Sequence, residues 1–471
     1  MDPRFEETTD VLRRTADHAL AYLQTLHDRR VHPLTSPAEM RASLGGPLPD
    51  DGVPPREVVD QLVAATERGV VASAGPRYFG FVIGGALPAA LAADWMTSAW
   101  DQNAVLYATS PAAAAAEMVV ADWLLDLFDL PRGTSVGLTT GCQMANFTAI
   151  AAARRAVLAK RGWDVERDGL QGAPRIRIVV GGEGHVTIDV ALQMLGLGTA
   201  TAERVPTDDQ GRMRTDALEA VLAAGDIGAP MIVCAQIGNV NSGASDDITK
   251  IAELVQRLDA GWLHVDGAFG LWARAVPELR LQLDGVEQAD SWATDAHKWL
   301  NVPYDSGLVF VRDQAAHRGS MLMSAAYLVA GAADQRDPSS YVPESSRRAR
   351  GFALYAALKS LGRKGVADLV QRCCSLAARL AAQLARAPGV EVLNEVALNQ
   401  VLVRFGDDDE LTRRTIRHVQ EDGTCWLGGS SWQGKAVMRI SVSNWSTTEA
   451  DIDLSAEAIL RCFAQVQGAQ R

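Results

Sequence analysis

The sequence predicts an α/β protein with a doubly wound, mostly parallel sheet, followed by a smaller α+β unit. Between about residues 75 and 310, short β-rich runs alternate with amphipathic helical stretches. After Pro343, a long helical stretch leads into further short β-rich runs. The 471 residues are 48% hydrophobic and 22% charged, a composition that provides enough apolar side chains for a large core.

The predicted elements follow this pattern along the chain. The first 74 residues are expected to form helices broken by loops at 32–37 and 45–55, where Gly and Pro interrupt the pattern. The strands predicted for the large sheet are 135–139, 176–180, 231–236, 262–265 and 307–311. The helices predicted between them are 145–161, 187–195, 215–224 and 248–259.

A boundary near residue 345 separates this region from the smaller unit. Beyond it we expect helical stretches at 347–361 and 366–387, and strands at 390–393, 400–404 and 437–442. The sequence therefore predicts three parts. They are a helical segment over 1–74, a large domain over 75–345 and a small domain over 346–471.

Charge and composition exclude several classes of function. Acidic residues outnumber basic ones by 57 to 45, which argues against a nucleic-acid partner. The charge-free stretches 78–93 and 133–153 are too short or too polar to cross a membrane, and the N-terminus does not resemble a secretory signal. Six sparse cysteines and eight histidines show no metal-binding spacing. We therefore expect a cytoplasmic protein without a metal site.

The first candidate for chemistry is Lys298, which lies beside Trp299 in the run DAHKWL (295–300). Burying an ammonium group without a partner is unfavourable. The commoner explanation is a lysine whose ammonium reaches solvent at the edge of the sheet. The alternative is an amine that forms a Schiff base with an aldehyde cofactor.

Asp266 is the second candidate, at the end of a predicted strand in WLHVDGAF (262–269). An aspartate at the end of a strand often caps the following helix. Such a carboxylate can also keep a pyridinium nitrogen protonated, which makes pyridoxal phosphate an electron sink. The small residues Gly267 and Ala268 would let a flat ring approach the backbone.

Two further signals precede these residues in the chain. The turn TTGCQMAN (139–146) joins a strand to a helix, whose first N–H groups suit a phosphate. His185 follows the next predicted strand, where open α/β sheets bind ligands. Each signal is weak alone, but their order (phosphate turn, histidine, aspartate, lysine) is specific.

With these residues in this order, the chain resembles the pyridoxal-dependent decarboxylase family, which includes aromatic L-amino acid and glutamate decarboxylases. The similarity covers roughly 75–361 and is strongest in HVDGAFG (264–270) and DAHKWL (295–300). The resemblance implies fold-type I, with a mostly parallel seven-stranded sheet in the large domain and a smaller C-terminal α+β domain. It also implies pyridoxal 5'-phosphate as the cofactor. The implied assembly is a homodimer with active sites at the subunit interface and the segment 1–74 packed on the partner.

The resemblance implies roles for single residues. Lys298 would be the Schiff-base lysine, and Asp266 would pair with the pyridine nitrogen. His185 would stack on the cofactor ring and assist proton transfer, with Ala268 on the other face. The residues implied near the phosphate or the phenolic oxygen are Gly141, Cys142, Gln143, His297 and Asn239. On the substrate side, Arg347 would hold a carboxylate and Phe81 would line an apolar wall.

The chain departs from the family at four places. One is the loop after the strand 231–236, where the family often has Thr or Ser near the cofactor hydroxyl and Asn239 is the candidate here. The family often has Asn at Asp295 and Glu at Met144. Its members use a loop tyrosine to protonate the substrate carbon, but that position falls near Pro338 here. Tyr341 lies three residues further on and is our candidate for this role, with Tyr327 as a second choice.

The predicted function is decarboxylation of an L-amino acid through an external aldimine and a quinonoid, which releases CO2 and an amine. One alternative within the same cofactor chemistry is an oxidative decarboxylase-deaminase that makes an aldehyde. Others are a carbon–carbon lyase or aldolase, and a catalytically silent homologue. The substrate stays open, because Phe81 favours an apolar or aromatic side chain and Arg347 an acidic one.

Overall fold

The computed structural model describes residues 3–226, 228–322 and 335–468. Five helices precede the first strand, and each begins with proline, whose fixed φ and missing N–H suit the first helical position. Their bounds are α1 (Pro3–Thr25), α2 (Pro37–Leu44), α3 (Pro55–Thr66), α4 (Pro88–Trp100) and α5 (Pro111–Phe128). The first and third helices are joined by ion pairs from Arg14 and His18 to Asp60, each 2.6 Å long.

Strands and helices alternate through the middle of the chain, as the sequence predicts. The elements are β1 (Ser135–Thr139), α6 (Cys142–Ala159), α7 (Val165–Asp168), β2 (Arg177–Gly181), α8 (Val186–Met194), β3 (Ala202–Val205), α9 (Thr215–Ala223), β4 (Met231–Gln236), α10 (Ile248–Gln256), β5 (Gly261–Asp266), β6 (Ser291–Asp295), β7 (Gly307–Val311) and α11 (Gln314–Met321). Short 3-10 helices fill much of the connection between β5 and β6.

The seven strands form one sheet in the order β1-β7-β6-β5-β4-β2-β3. Only β7 runs antiparallel to its neighbours, so the carboxyl ends of the other six strands share one edge. Alternate side chains enter different cores. Ile178 and Val180 join the core on one face, and Val179 joins the core on the other.

The C-terminal part is built on a smaller, fully antiparallel sheet in the order β10-β11-β9-β8. A 3-10 turn, Pro338–Tyr341, precedes it. Its elements are α12 (Gly351–Leu384), β8 (Val390–Val392), β9 (Gln400–Phe405), α13 (Asp409–Asp422), β10 (Gly428–Trp432), β11 (Lys435–Ser441) and α14 (Glu449–Gly468). None of the helices in the described ranges has the length and apolar character of a membrane span.

The predicted fold class is confirmed, and all five strands predicted for the large sheet are present within one residue of their bounds. Three strands escaped prediction. β3 is a partly exposed edge strand, and β10 consists mostly of small polar residues. β6 carries Ser, Thr and Asp although it is fully buried. The helical stretches predicted at 347–361 and 366–387 form the single element α12, interrupted at Gly362, where φ is 61°.

His317 on α11 anchors the turn that precedes α12. Its Nε2–H donates to the carbonyl oxygen of Tyr341 at 2.9 Å, and its Nδ1 lies 2.7 Å from Oγ of Ser135. Burial lowers the pKa of His317 to about 3, so the ring stays neutral in the folded protein.

This burial predicts a loss of stability in mild acid. The unfolded chain takes up the proton below about pH 6.5, so lowering the pH from 8 to 5 disfavours the folded state by about 2 kcal/mol for this residue. The free energy of unfolding, measured with urea, should fall less between pH 8 and pH 5 in His317→Gln than in the wild type, by this amount. His418→Gln, at an exposed position on α13, should leave the difference unchanged. An equal pH effect in His317→Gln would contradict the assignment.

Candidate active site

The carboxyl edge of the large sheet gathers residues from several separate connections. A small cavity lies there. The residues that line it are His185, Gln236, Gly238, Val240, Asp266, Ala268, Phe269 and Lys298. Four residues that the sequence singles out therefore share one cavity: His185, Asp266, Ala268 and Lys298. The first and the last of them lie 113 positions apart in the chain.

Lys298 is held by a carboxylate from its own segment. Its Nζ lies 2.9 Å from Oδ2 of Asp295, the last residue of β6. Burial by itself would lower the pKa of Lys298, but the charge and hydrogen bond of Asp295, together with the charges of Cys142 and Asp266, hold the pKa above the ordinary value. The amine is therefore stored as an ammonium ion.

Asp295 also binds the turn at the start of α6. Its Oδ1 accepts the N–H of Cys142 at 2.6 Å and lies 3.5 Å from Nε2 of His297. A carboxylate such as Asp295 would repel a phosphate bound at the start of α6 if its charge were unpaired. In the structure this carboxylate, at the end of β6, caps α6 and pairs with Lys298.

Asp266 ends β5 with both carboxylate oxygens bonded. Oδ1 accepts the N–H of Ala268 at 3.1 Å and lies 3.5 Å from Sγ of Cys142. Oδ2 accepts from Nδ2 of Asn146 at 3.1 Å. Donors on both oxygens hold the carboxyl group in a fixed orientation at the end of β5.

His185 caps the start of α8 and faces the cavity. Its Nδ1 accepts the N–H of Thr187 at 3.3 Å and lies 2.9 Å from the Thr187 hydroxyl. Burial lowers the pKa of the imidazole, against the charge of Asp266. A neutral ring with Nδ1 accepting carries its proton on Nε2.

These residues fit pyridoxal phosphate. The cavity offers an amine, a carboxylate with satisfied hydrogen bonds, and an imidazole. In the first turn of α6, the N–H groups of Gln143 and Met144 have no acceptor within the helix and suit a phosphate. Close packing shapes this turn, because a Cβ added at Gly307 would lie 2.5 Å from the backbone of Gly141.

The structure does not place Asn239 in the cavity lining. Its Oδ1 accepts the N–H groups of Asn241 and Ser242, and its Nδ2 donates to the carbonyl of Glu183 at 3.3 Å. The amide is thus committed to its own loop. Sequence reasoning missed Gln236 instead, the last residue of β4, which lines the cavity and pairs in register with Asp266.

Tyr341 contacts a different part of the chain. Its ring packs edge-on against His317 at 5.3 Å, with the Arg336 guanidinium 4.1 Å from the ring centroid. Its carbonyl adjoins Gly137 in the middle of β1. The phenol is therefore not brought to the cavity of its own chain. Tyr327, the second choice, lies outside the described residues.

Arg347 has a structural partner that the sequence does not reveal. Its guanidinium is fully buried and forms a 2.5 Å ion pair with Glu117 on α5, with further bonds to the carbonyls of Ala104 and Leu138. The positive charge of Arg347 is therefore already paired with a buried glutamate within the chain.

Arg439 on β11 is the arginine that sequence reasoning missed. It lies near enough to His185 for its charge to lower the pKa of that ring. No carboxylate among the described residues lies within ion-pair distance of it, and burial lowers its own pKa. A hairpin contact supports this placement, because the Ser430 hydroxyl on β10 donates to Oδ1 of Asn241 at 2.8 Å.

Phe81 belongs to an aromatic cluster at the surface. Its side chain is 59% exposed, and its ring centroid lies 5.6 Å from that of Trp426. Tyr78 stacks on the same indole at 5.0 Å. A Cβ at Gly80 would overlap the Trp426 ring at 2.1 Å, so glycine is required for this close approach. We name these residues (Tyr78, Phe81 and Trp426) the aromatic cluster.

Comparison with known proteins decides the family. The model of the pyridoxal-dependent decarboxylase conserved domain matches residues 37–405. The chain belongs to the pyridoxal-dependent decarboxylase family. The resemblance seen in the sequence is confirmed, and with it pyridoxal phosphate as the cofactor and carboxy-lyase as the class of enzyme.

Individual relatives align over nearly the whole chain. Tryptophan decarboxylase 1 of Oryza sativa subsp. japonica is 27% identical over 98% of this chain and 94% of its own length. The aromatic-L-amino-acid decarboxylase of Bacillus atrophaeus is 24% identical over 94% and 93%. The 4-hydroxyphenylacetaldehyde synthase of Rhodiola rosea is 24% identical over 93% and 91%.

Solved structures share the fold. The crystal structure of Oryza sativa TDC with PLP and tryptamine superposes with a TM-score of 0.91, at 24% identity and 98% coverage of both chains. Mouse CSAD in apo form gives a TM-score of 0.88, at 23% identity and coverage of 97% and 98%.

The contact between Asp295 and Lys298 yields a pH-dependent prediction. Asp295→Asn should lower the pKa of Lys298 by about one unit or more, because an ionised carboxylate favours the ammonium and only the neutral amine attacks an aldehyde. The pH profile for attachment of phosphate-free pyridoxal, trapped with borohydride, should move to lower pH. Using pyridoxal keeps effects on phosphate binding out of the measurement.

Asp305→Asn is the matched control, since the Asp305 carboxylate binds Arg350 at 2.6 Å instead. Its profile should stay with that of the wild type. An unshifted profile in Asp295→Asn would show that the ion pair does not govern the amine.

Proposed function

We propose that the chain removes the α-carboxyl group of an aromatic L-amino acid and releases CO2 and the corresponding amine. The observation that carries the proposal is the convergence of Lys298, Asp266 and His185 on one cavity. Pyridoxal phosphate, when bound, supplies the electron sink for the pair from the breaking Cα–carboxylate bond.

The residues of the chain divide the remaining work. Lys298 provides the amine that attaches the cofactor. Asp266, ionised and bonded on both oxygens, would keep a pyridine nitrogen protonated. Gln236 presents an amide to the same cavity, beside Asp266 in the sheet.

His185 is our candidate proton donor to the substrate carbon. It lines the cavity as a neutral ring with its proton on Nε2, which suits donation to a carbanion-like atom. We assign no proton transfer to Tyr341 within its own chain, because its ring is packed against His317.

Arg439 is proposed to attract the carboxylate of the substrate. Its guanidinium has no carboxylate partner among the residues that the structure describes, and its charge lowers the pKa of His185, so it provides a positive charge on this side of the site. The aromatic cluster is not part of the cavity lining, so the preference for an aromatic side chain is drawn from the relatives. The names of the aligned relatives, which include tryptophan, aromatic-L-amino-acid and histidine decarboxylases, support the same class.

A homodimer is proposed as the working assembly. α1 and α4 leave large apolar side chains exposed, among them Leu20, Leu23, Trp95 and Met96. A groove of about 1,170 Å³ between these helices is lined mainly by leucine, alanine, proline and tryptophan. A second copy that covers this surface, with the segment 1–74 packed on its partner, would bury it.

The cytoplasm is the proposed compartment. All six cysteines are buried and unpaired, which is usual for proteins of a reducing compartment.

An aldehyde-forming reaction is the second candidate. The observation that favours it is the position of Tyr341 away from the cavity, which leaves the loop without its usual proton donor there. One aligned relative is a 4-hydroxyphenylacetaldehyde synthase. Oxygen would then be the co-reactant, and an aldehyde, ammonia and peroxide would be formed with the CO2.

Product analysis tests the proposal. Cofactor-loaded protein is incubated in air with Trp, Tyr, Phe, His, Glu and Asp, and the products are identified by mass spectrometry. We expect the wild-type protein to convert at least one aromatic substrate to an amine that is lighter by CO2. The Lys298→Ala variant should form no amine. Products from acidic substrates alone would contradict the substrate class. Aldehyde with peroxide would establish the second candidate, and intact carboxylates throughout would exclude decarboxylation of this panel and leave a lyase or aldolase reaction.

The role of Arg439 is tested by comparing substrate with product. Arg439→Gln should weaken binding of the amino acid about tenfold or more, since an ion pair to a carboxylate is lost. Binding of the amine product, which has no carboxylate, should change little. Arg348→Gln is the control, because Arg348 pairs with Asp94 at the surface. Equal weakening of both ligands in Arg439→Gln would contradict the assignment.

A further inference from the structure

Asn146 on α6 connects Asp266 with the support of His185. The residue is fully buried. Its Nδ2 donates to Oδ2 of Asp266 at 3.1 Å and to Oγ1 of Thr187 at 3.2 Å. Its Oδ1 accepts from Nε2 of His264 at 3.0 Å. One amide thus joins three polar groups that approach from β5 and α8.

The direction of these hydrogen bonds is set by Asp266, whose carboxylate accepts from Nδ2 of Asn146 and so leaves the amide oxygen facing His264. Nε1–H of Trp262 donates to Oγ of Ser291 at 2.9 Å, and an indole nitrogen cannot accept. The Ser291 hydroxyl then donates to Nδ1 of His264, also at 2.9 Å. Burial lowers the pKa of His264 to about 4, so this ring is neutral and its one proton sits on Nε2.

The orientation of the Asn146 amide follows. Its oxygen must face the N–H of His264, so its NH2 group faces Asp266 and Thr187. A flipped amide would set its oxygen against the Asp266 carboxylate and its NH2 against the His264 donor. The arrangement described satisfies every member, and the flipped one satisfies neither the amide nor its neighbours.

The last link reaches the cavity. Because Thr187 Oγ1 accepts from Asn146, its own proton is available for Nδ1 of His185, 2.9 Å away. The Thr187 N–H points to the same nitrogen. Nδ1 is therefore an acceptor, and the proton of the neutral His185 ring is on Nε2.

We propose that Asn146 is a positioning residue that holds Asp266 in place as a hydrogen-bond acceptor and, through Thr187, holds His185 as the Nε2–H tautomer. This inference rests on the proposed function only in giving His185 a part in the reaction. The hydrogen-bond geometry stands without it.

Two variants separate the two links. Asn146→Leu, of similar size but without the amide, breaks both. Thr187→Val breaks only the link to His185 and leaves the contact between Asn146 and Asp266. Thr148→Val is the control, since Thr148 is equally buried on α6 and its hydroxyl donates only to the carbonyl of Met144 in the same helix.

The decisive readout is the ring of His185 itself. Full-length protein with 15N-labelled histidine is followed by NMR across pH, with and without pyridoxal phosphate, and His185→Gln assigns the signals. In wild-type protein we expect Nε2–H alone. In Asn146→Leu and Thr187→Val we expect both tautomers and a titration at least about half a unit higher. Asn146→Leu frees the Thr187 oxygen to accept from a protonated ring, and Thr187→Val removes the hydroxyl that donates to Nδ1 of the neutral ring.

Other charges act on His185 and stay constant in this comparison. They are Asp266, Lys298, Arg439 and Asp295. All four are retained in Asn146→Leu, Thr187→Val and Thr148→Val, so a difference between these variants reports the hydrogen-bond links.

Cofactor affinity is the second readout. Asn146→Leu should bind pyridoxal phosphate about tenfold more weakly, since the Asp266 carboxylate loses a donor, whereas Thr187→Val should bind it normally. In kinetics, both variants should lower kcat more than they raise KM, and the acid limb of the pH profile should move with the NMR titration.

The outcomes are distinguishable from failure of the proposed function. An unchanged tautomer and titration in both variants would overturn the inference, even in an active enzyme. If no substrate of the panel loses CO2, the NMR and binding results still decide the role of Asn146. If Asn146→Leu does not fold, Thr187→Val alone decides the link to His185. If Thr148→Val shifts the His185 titration by the same amount, the shifts come from a general disturbance of α6 and the inference is contradicted.

Discussion

The buried pairing of opposite charges at the carboxyl edge of the large sheet is the constraint on which the site depends. An ammonium group at this depth is tolerated only beside a carboxylate, and Asp295 meets that need for Lys298 at 2.9 Å. The same carboxylate caps α6 through Cys142. Phosphate turn and lysine are thereby held at one place by a single side chain, although they lie over 150 residues apart in the sequence.

The polar side chains buried behind this edge are also held in fixed orientations by hydrogen bonds. His264, Ser291 and Asn146 are fully buried between the sheet and α6, and each is matched by a partner. Such a chain of hydrogen bonds leaves little freedom for a ring or an amide to turn. The chemistry at the surface of the cavity therefore depends on groups that no substrate touches.

Much of the site was predictable because a parallel sheet brings the ends of its strands to one edge. His185, Asp266 and Lys298 each follow a strand, so their order along the chain was informative. Gln236 was accessible to the same reasoning, as the last residue of β4. Arg439 was not, because it comes from the second sheet, and nothing in the sequence shows how the two sheets meet.

Two predicted site residues have side chains that are bonded elsewhere in the chain, for physical reasons. Arg347 stands in a run of three arginines (347, 348 and 350) with no acid beside it, and its partner Glu117 lies 230 residues earlier. Asn239 was chosen as a polar residue in the right loop, but a tight turn occupies its side chain. Strand β6 was missed because a strand buried on both faces usually lacks the polar residues that it carries. Long-range pairing and tight turns cannot be read from local pattern.

The division of the site between two sheets has a consequence for how the enzyme can diverge. Lys298 and Asp266 belong to the large sheet, whereas Arg439 and Trp426 belong to the C-terminal part of the chain. The hairpin β10–β11 touches the loop after β4 through Ser430 and Asn241. If Arg439 binds the substrate as proposed, substrate preference is separable from bond-breaking chemistry. Descendants of this chain can acquire new substrates through changes in the hairpin while the lysine, the aspartate and their buried supports stay as they are.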